Sequence, residues 1–492
     1  MPSRAPIGDA PFFGVDEWKR NIIKHSYLTK RVIHLIESVP PIRTGSFQNP
    51  QIEPVQEFPT GKYDGRDTGV PKNSGDYAAM TNETAHVPAY TGEFDFTLES
   101  VILLVLGIFM GLFGLLLFSI TTGALPYAPD STYGLFLVIV ALQVITMGKT
   151  PLGDLRRTWL VIILGIAAGI TGMLACFIPG LLSDIVRILV GVILILGGAV
   201  LLLQLFFHKE KAAHWFSVPG ILRHLTVACA LVYFMAFLLG LVTLIPAITT
   251  NQLTAVLLII DGAALFYLAW CIDVVGKKYP KKPEPAGEVR EKTGLIFLIR
   301  EVPLPFTTAL LIFLGVLLTL LAILLVPVNL GTLPFSPDGQ LGLLLVIMAI
   351  QILAMGETPL GAFKRSWFIV TIGLVFVAMG VYSCIVPGVL TDLLRVMLGL
   401  LNLIGSLVLL AGRVVPMVLQ LRNAPARPVA LPTPLRNLLL TQTALNIIGI
   451  LFGISMLLPG FIPGMVTAAI LFFNGLLLFF LAYILGTLPA AE

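Results

Sequence analysis

Charge is scarce in this chain. Asp, Glu, Lys and Arg make up only 12% of its 492 residues, against about 25% in a soluble globular domain. Hydrophobic residues make up 57%, and mean hydropathy is +0.94. That composition excludes a soluble protein and gives an all-α integral membrane protein. The net charge of +4 is too small to argue for a nucleic-acid partner. Cysteine is also rare. Cys176, Cys229, Cys271 and Cys384 each sit in an apolar run with no CxxC spacing, which supports neither a disulfide framework nor a cysteine metal site; they read as small buried hydrophobes. The histidines are His25, His34, His86, His208, His214 and His224. None is near the middle of an apolar run, so no axial pair is available for a membrane b-haem. His208, His214 and His224 border one loop and would form a metal site only by folding together. GxSxG, HExxH and Walker-type patterns are absent. No catalytic residue, cofactor or metal ligand is therefore expected. The opening residues lack an apolar segment behind a basic start, so no cleavable signal peptide is expected either.

What the chain does contain is a stretch written twice. Residues 123–190 begin GALPYAPD and pass through MGKTPLGDLRRTWL and CFIPGLLSDIVRIL. Residues 331–398 repeat this without a gap as GTLPFSPD, MGETPLGAFKRSWF and CIVPGVLTDLLRVM. Trp159 maps to Trp367, Cys176 to Cys384, Pro179-Gly180 to Pro387-Gly388, Asp184 to Asp392 and Arg187 to Arg395. After a short insertion Pro246 maps to Pro459, and Asp261-Gly262 to Asn474-Gly475. The chain is an internal duplication.

Apolar runs able to span about 30 Å of hydrocarbon fall at 98–120, 133–147, 158–178, 184–207, 221–245 and 250–272. They recur at 305–327, 341–355, 366–386, 392–412, 436–458 and 464–485. This predicts about twelve transmembrane helices, with 133–147 and 341–355 short for the task. Loops after even-numbered helices carry Lys149, Arg156, Arg157, Lys209, Lys211, Arg223, Lys277, Lys278, Lys281, Lys282, Arg290, Lys292, Arg300, Lys364, Arg365, Arg413, Arg422, Arg427 and Arg436; loops after odd-numbered helices carry only Arg187 and Arg395. Basic loops stay in the cytoplasm, so both termini are expected there. An even number of spans in each half makes the halves parallel repeats, not inverted ones. The expected units are a polar N-terminal extension over 1–97, a six-helix repeat over 98–272, a basic linker over 273–304 and a second repeat over 305–486.

Within each half a shorter period is visible. Odd-numbered helices carry small residues four apart, as in Gly107 and Gly111, Gly165 and Gly169, Ala236 and Gly240, and Gly449 and Gly453. A proline follows each odd-numbered helix, at Pro126, Pro179, Pro246, Pro334, Pro387 and Pro459. Small residues at this spacing let helix backbones approach closely, and the pattern reads as six two-helix hairpins. Segments 159–203, 367–410 and 438–481 resemble the short membrane repeat of HdeD-like acid-resistance proteins. The resemblance implies a bacterial inner-membrane location and one six-helix set that this chain holds twice. The added tail and the duplication depart from the family.

In the tail, Val15, Trp18, Ile22, Leu28, Val32, Leu35, Ile36 and Val39 follow helical spacing. Lys19, Arg20, Lys24, Lys30 and Arg31 lie between them. That predicts a basic amphipathic helix over 15–38, with three readings: lying on an anionic leaflet, docked on a partner subunit, or packed on this chain's own loops. Residues 40–97 are rich in Pro, Gly, Asn and Asp and read as an extended strap.

Few polar residues interrupt the spans. Asp261 lies near the centre of one, and its copy is Asn474. An acid there is either a proton or cation site or a neutral group bonded to a neighbouring helix. Asp184 with Arg187, and Asp392 with Arg395, read as outer-surface caps and i,i+3 pairs, or as a solute entrance. Gln143, Gln351, Gln442 and Asn446 read as hydrogen-bonding groups between helices. Together these features give a non-catalytic scaffold or accessory subunit, contacting lipids and other protein subunits through residues 1–97 and the cytoplasmic loops. The alternative is a proton or small-solute channel or transporter that uses the interface between the repeats.

Overall fold

The structure, a computed structural model, describes residues 97–147, 149–150, 153–154, 158–207, 220–278, 306–355, 357–358, 361–362, 366–422 and 433–487. The expected tail helix over 15–38, nearly all of the strap and most of the basic linker lie outside the described residues. Among the described residues the chain forms twelve α-helices. In the first half these are α1 (Leu98–Thr121), α2 (Pro129–Met147), α3 (Trp159–Phe177), α4 (Ser183–Phe207), α5 (Ile221–Leu244) and α6 (Asn251–Lys278). In the second half they are α7 (Phe306–Asn329), α8 (Pro337–Met355), α9 (Trp367–Ile385), α10 (Thr391–Arg422), α11 (Thr433–Leu457) and α12 (Gly464–Thr487). Eleven are long and apolar enough to cross a membrane, and α2 contributes a shorter apolar stretch, Pro129–Ile145. The protein is an all-α, multi-pass membrane protein.

The two short runs extend at their N-termini. Pro129-Asp130 and Pro337-Asp338 open α2 and α8, where proline's fixed φ suits the first turn and an acid complements the helix dipole. These two helices have lower mean hydropathy than most of the others because they are the centre of the molecule and face little lipid. Leu135, Leu137, Ile139, Ala141, Leu142 and Ile145 of α2 are all buried, and so are Leu343, Leu345, Ile347, Ala349 and Ile350 of α8. The outer helices show the opposite: Ile185, Ile188, Val192 and Leu196 form an exposed apolar stripe along α4.

The hairpin grouping read from the sequence is not how the helices pair. Within the first half the closest pairs are α1 with α6, α2 with α3 and α4 with α5; the second half pairs α7 with α12, α8 with α9 and α10 with α11. Of the hairpins expected from the sequence, only α5 with α6 and α11 with α12 pack appreciably. Glycine positions explain this, because small residues occur on both members of each close pair. A Cβ at Gly172 of α3 would lie 2.6 Å from the carbonyl of Gly134 on α2, and one at Gly134 would lie 2.5 Å from the carbonyl of Gly172. A Cβ at Gly240 of α5 would sit 2.9 Å from the Gly191 carbonyl of α4, and one at Gly262 of α6 would sit 2.9 Å from the Gly107 carbonyl of α1. The helix backbones touch where these side chains are missing.

The loops after α2 and α8 hold a small element not anticipated. Lys149–Thr150 pairs antiparallel with Gly153–Asp154, and Glu357–Thr358 pairs likewise with Gly361–Ala362. Thr150 thus faces Gly153 and Thr358 faces Gly361, the same register in both halves.

Candidate functional site

The two halves meet along α1, α2, α3, α7, α8 and α9. The Ser336 amide, just before α8, donates to the Phe177 carbonyl at the end of α3 at 2.8 Å; the Ala128 amide, just before α2, donates to the Ile385 carbonyl at the end of α9 at 3.0 Å. Residues at equivalent repeat positions therefore make the same bond in both directions. Beside these bonds lie Cys176 and Cys384, both buried and both free. The Cys176 thiol donates to the Ser131 carbonyl at 3.5 Å, and Ser131 Oγ donates to the Cys176 carbonyl at 3.3 Å. In the second half Cys384 donates to the Gly339 carbonyl at 3.8 Å. Further along the seam, Phe313 of α7 fills the groove over Gly169 of α3. Leu317, Leu321, Val377 and Val381 are also buried in this region, so the space between the halves is filled by apolar side chains.

Asp261 is 3% exposed on α6, and its Oδ1 has no hydrogen-bond partner among the described residues. Its neighbour Gly262 is the contact point with α1. Asn474 is half-buried on α12, and its neighbour Gly475 packs on Gly315 and Thr319 of α7. Asp261 and Asn474 thus occupy matching places on the α1–α6 and α7–α12 pairs and are not brought together. Gln442 and Asn446 are buried on α11, where Asn446 Nδ2 has no partner among the described residues. His224 bonds the Tyr267 hydroxyl at 2.7 Å. Among the described residues no three His, Cys, Asp or Glu side chains cluster as a metal site would require. Trp18, Lys19, Arg20, Lys24, Lys30 and Arg31 lie outside the described residues.

The outer pairs differ between the halves. Arg395 donates to Asp392 at 2.8 Å, whereas Arg187 stands 3.7 Å from Asp184, whose side chain is 88% exposed. Arg187 also borders a partly open cavity of ≈ 220 Å³ in the first half, lined by α1, α2, α4, α5 and α6. Its upper wall carries Tyr127, Thr132, Tyr133, Thr243, Asn251 and Thr254. Its deeper wall is apolar, with Phe109, Met110, Phe136, Leu194, Leu239 and Leu258. Tyr127 stacks on Phe113 at 5.9 Å, and burial pushes its hydroxyl far above the usual phenol range, so it stays protonated. Arg187 recurs as Arg395 and Thr254 as Thr467, but elsewhere in the upper wall the halves differ, so the repeat did not point to those residues. Phe335 stands opposite Tyr127, Leu341 opposite Tyr133, Met456 opposite Thr243 and Gly464 opposite Asn251.

A second group is legible in hindsight from the doubled Pro-Asp. Asp130 Oδ2 accepts from the Gly180 amide at 2.7 Å. Gly180 has φ +84 and Gly388 φ +83, a left-handed conformation that glycine adopts at little cost. In the second half Asp338 Oδ1 accepts instead from the Thr391 hydroxyl. Both acids are buried. They tie the start of each central helix to the turn between α3 and α4, or between α9 and α10.

Compared with protein-family models, with curated proteins and with solved structures, the chain matches none.

Proposed function

We propose that the chain is a non-catalytic scaffold or accessory subunit of a membrane-associated complex, built as two parallel six-helix repeats with both termini in the cytoplasm. The observation that carries this reading is the filled seam. Phe313, Leu317 and their neighbours occupy the space between the halves, and a passage there would have to open a close-packed core. A rigid central body with an apolar perimeter suits a subunit that positions others. The basic loops after even-numbered helices support the orientation. The spacing shared with HdeD-like proteins supports a bacterial inner membrane. Partner contacts are assigned to residues 1–97 and the cytoplasmic loops.

The test is purification of the full chain from its native membrane in mild detergent, beside a form lacking residues 1–90. Stoichiometric co-purifying subunits that are lost on truncation are the expected result. A monodisperse lone chain, unchanged by the truncation, would overturn the proposal.

A further inference from the structure

The first half carries a chemically graded cavity whose two tyrosines and Thr243 are replaced by apolar residues in the second half, and this divergence needs a reason. The surrounding helices, the Pro-Asp and Pro-Gly turns and the Asp/Arg pair are common to both halves, so the fold does not require a tyrosine at 127 or 133. Phe335 and Leu341 serve at those places.

The donors facing the cavity can be identified by what the other polar groups already do. The Thr132 hydroxyl donates to the Ala128 carbonyl at 2.8 Å, Thr243 to the Leu239 carbonyl at 2.8 Å and Thr254 to the Thr250 carbonyl at 3.1 Å. These threonines retain lone pairs but no free proton. The Tyr127 hydroxyl is bonded to Thr132, so the groups left to donate into the cavity are the Arg187 guanidinium, the Tyr133 hydroxyl and the Asn251 amide. Arg187 is the single cation among the lining residues and lies near the Tyr133 hydroxyl. The nearby acids do not compete for it strongly. Asp130 is committed to the Gly180 amide. Asp184 is solvent-exposed at 3.7 Å from Arg187, where water and salt screen the pair. In the second half the same arginine is hydrogen-bonded to its aspartate at 2.8 Å.

Below these donors the wall turns apolar. From Asn251 to Leu258 on α6 the cavity descends seven residues, about 10 Å at the helical rise of about 1.5 Å per residue. A cationic mouth above an apolar slot matches a molecule with one anionic head and one hydrocarbon chain.

We propose that the cavity between α1, α2, α4, α5 and α6 binds a single-chain amphiphile with an anionic carboxylate or phosphate head. The head sits against Arg187 and Tyr133, and the chain lies along Phe109, Phe136 and Leu258. A free fatty acid and a lysophospholipid share this chemistry. The site is peculiar to the first half, because the corresponding arginine is engaged and the tyrosines are replaced in the second.

The test uses the full chain, purified in a neutral maltoside detergent, and a photoreactive diazirine-bearing dodecanoate, with labelled peptides mapped after irradiation. Labelling on α1 and α6 of the first half is expected, and Arg187→Gln should lower it about tenfold, the loss that follows from removing one charge-assisted hydrogen bond. Tyr133→Leu, which installs the residue of the second half, should lower it less. Arg395→Gln should leave it unchanged. Arg187 is at the surface, so its replacement does not threaten folding, and Tyr133→Leu provides an independent variant. Displacement by unlabelled dodecanoate alone identifies the free acid as occupant; displacement by lysophosphatidylglycerol identifies the lipid head. Either result supports the site. Equal labelling of wild type, R187Q and R395Q would overturn it, as would equal displacement by an uncharged monoacylglycerol.

Discussion

The backbone amide of Ala128 donates to the carbonyl of Ile385 at 3.0 Å, joining the entry to α2 in one half to the exit of α9 in the other. Ser336 and Phe177 make the same bond in the reverse sense at 2.8 Å. The last carbonyls of a helix have no partner within it, and in apolar surroundings an unpaired carbonyl is costly. Each half therefore completes the other's α3 or α9 terminus. The entries to α2 and α8 and the ends of α3 and α9, all within the doubled stretch, thus lie on the seam.

Deleting either amide should weaken the fold. Ala128→Pro and Ser336→Pro each leave a carbonyl unpaired, at about 1–3 kcal/mol, whereas Ala128→Gly and Ser336→Gly keep the donor. Heating in detergent followed by size-exclusion chromatography should show the proline variants losing the monodisperse peak at lower temperature than the glycine variants. Equal behaviour of the two sets would show that the cross-half bonds contribute nothing.

The seam has room for one side chain where Ser131 and Gly339 approach. A Cβ at Gly339 would run into the Cys176 carbonyl and come within 2.8 Å of Ser131 Oγ. Gly339→Ser should therefore destabilise by about 1–3 kcal/mol, the usual cost of overpacking. Because the closer contact is the Cys176 carbonyl, which Ser131→Gly leaves in place, adding Ser131→Gly to Gly339→Ser should recover only a small part of that loss, read as a weak coupling in a double-mutant cycle. Additive effects would count against direct contact at this point.

Asp130 should matter more than its place beside a loop suggests. Removing the acceptor in Asp130→Ala leaves the Gly180 amide unpaired and should cost about 1.5–3 kcal/mol, the range for hydrogen bonds to charged groups. Asp130→Asn keeps an acceptor and should cost less. Thermal stability of the two variants against wild type decides this, and a milder effect for Ala than for Asn would refute the assigned role.

Much of this architecture can be read from the residues, and the parts that cannot share a physical cause. Apolar runs and the doubled stretch give the helices, because hydrocarbon admits little else. Pairing is harder to read, since a glycine records only that some backbone approaches it. Gly107 and Gly111 suggested a hairpin with α2, while their contact is Gly262 on α6. Hydropathy also understated α2 and α8. A helix surrounded by protein can carry Asp130, Ser131 and Thr132 buried near its start, because other parts of the fold supply their partners. The cavity was hidden for the opposite reason: attention to what recurs passes over Tyr127 and Tyr133, which do not.

Asp261 provides the sharpest test of the transport alternative. It is buried on α6 beside the α1 contact, with Oδ1 unpartnered among the described residues, and the matching place on α12 holds Asn474. An ionised aspartate at mid-membrane costs roughly 2.5–3.5 kcal/mol on insertion scales, and an amide avoids the charge while keeping the shape. If the side chain is a structural remnant, Asp261→Asn should leave thermal stability unchanged or raise it, and proton flux into proteoliposomes should be the same for variant and wild type. If the side chain carries protons, wild-type vesicles should dissipate an imposed pH gradient and the Asn variant should not. The position of Asp261 favours the first outcome. It lies beside a helix contact that the second half makes with Asn474 in the equivalent place and no titratable group there, whereas a relay needs a chain of such groups leading to it.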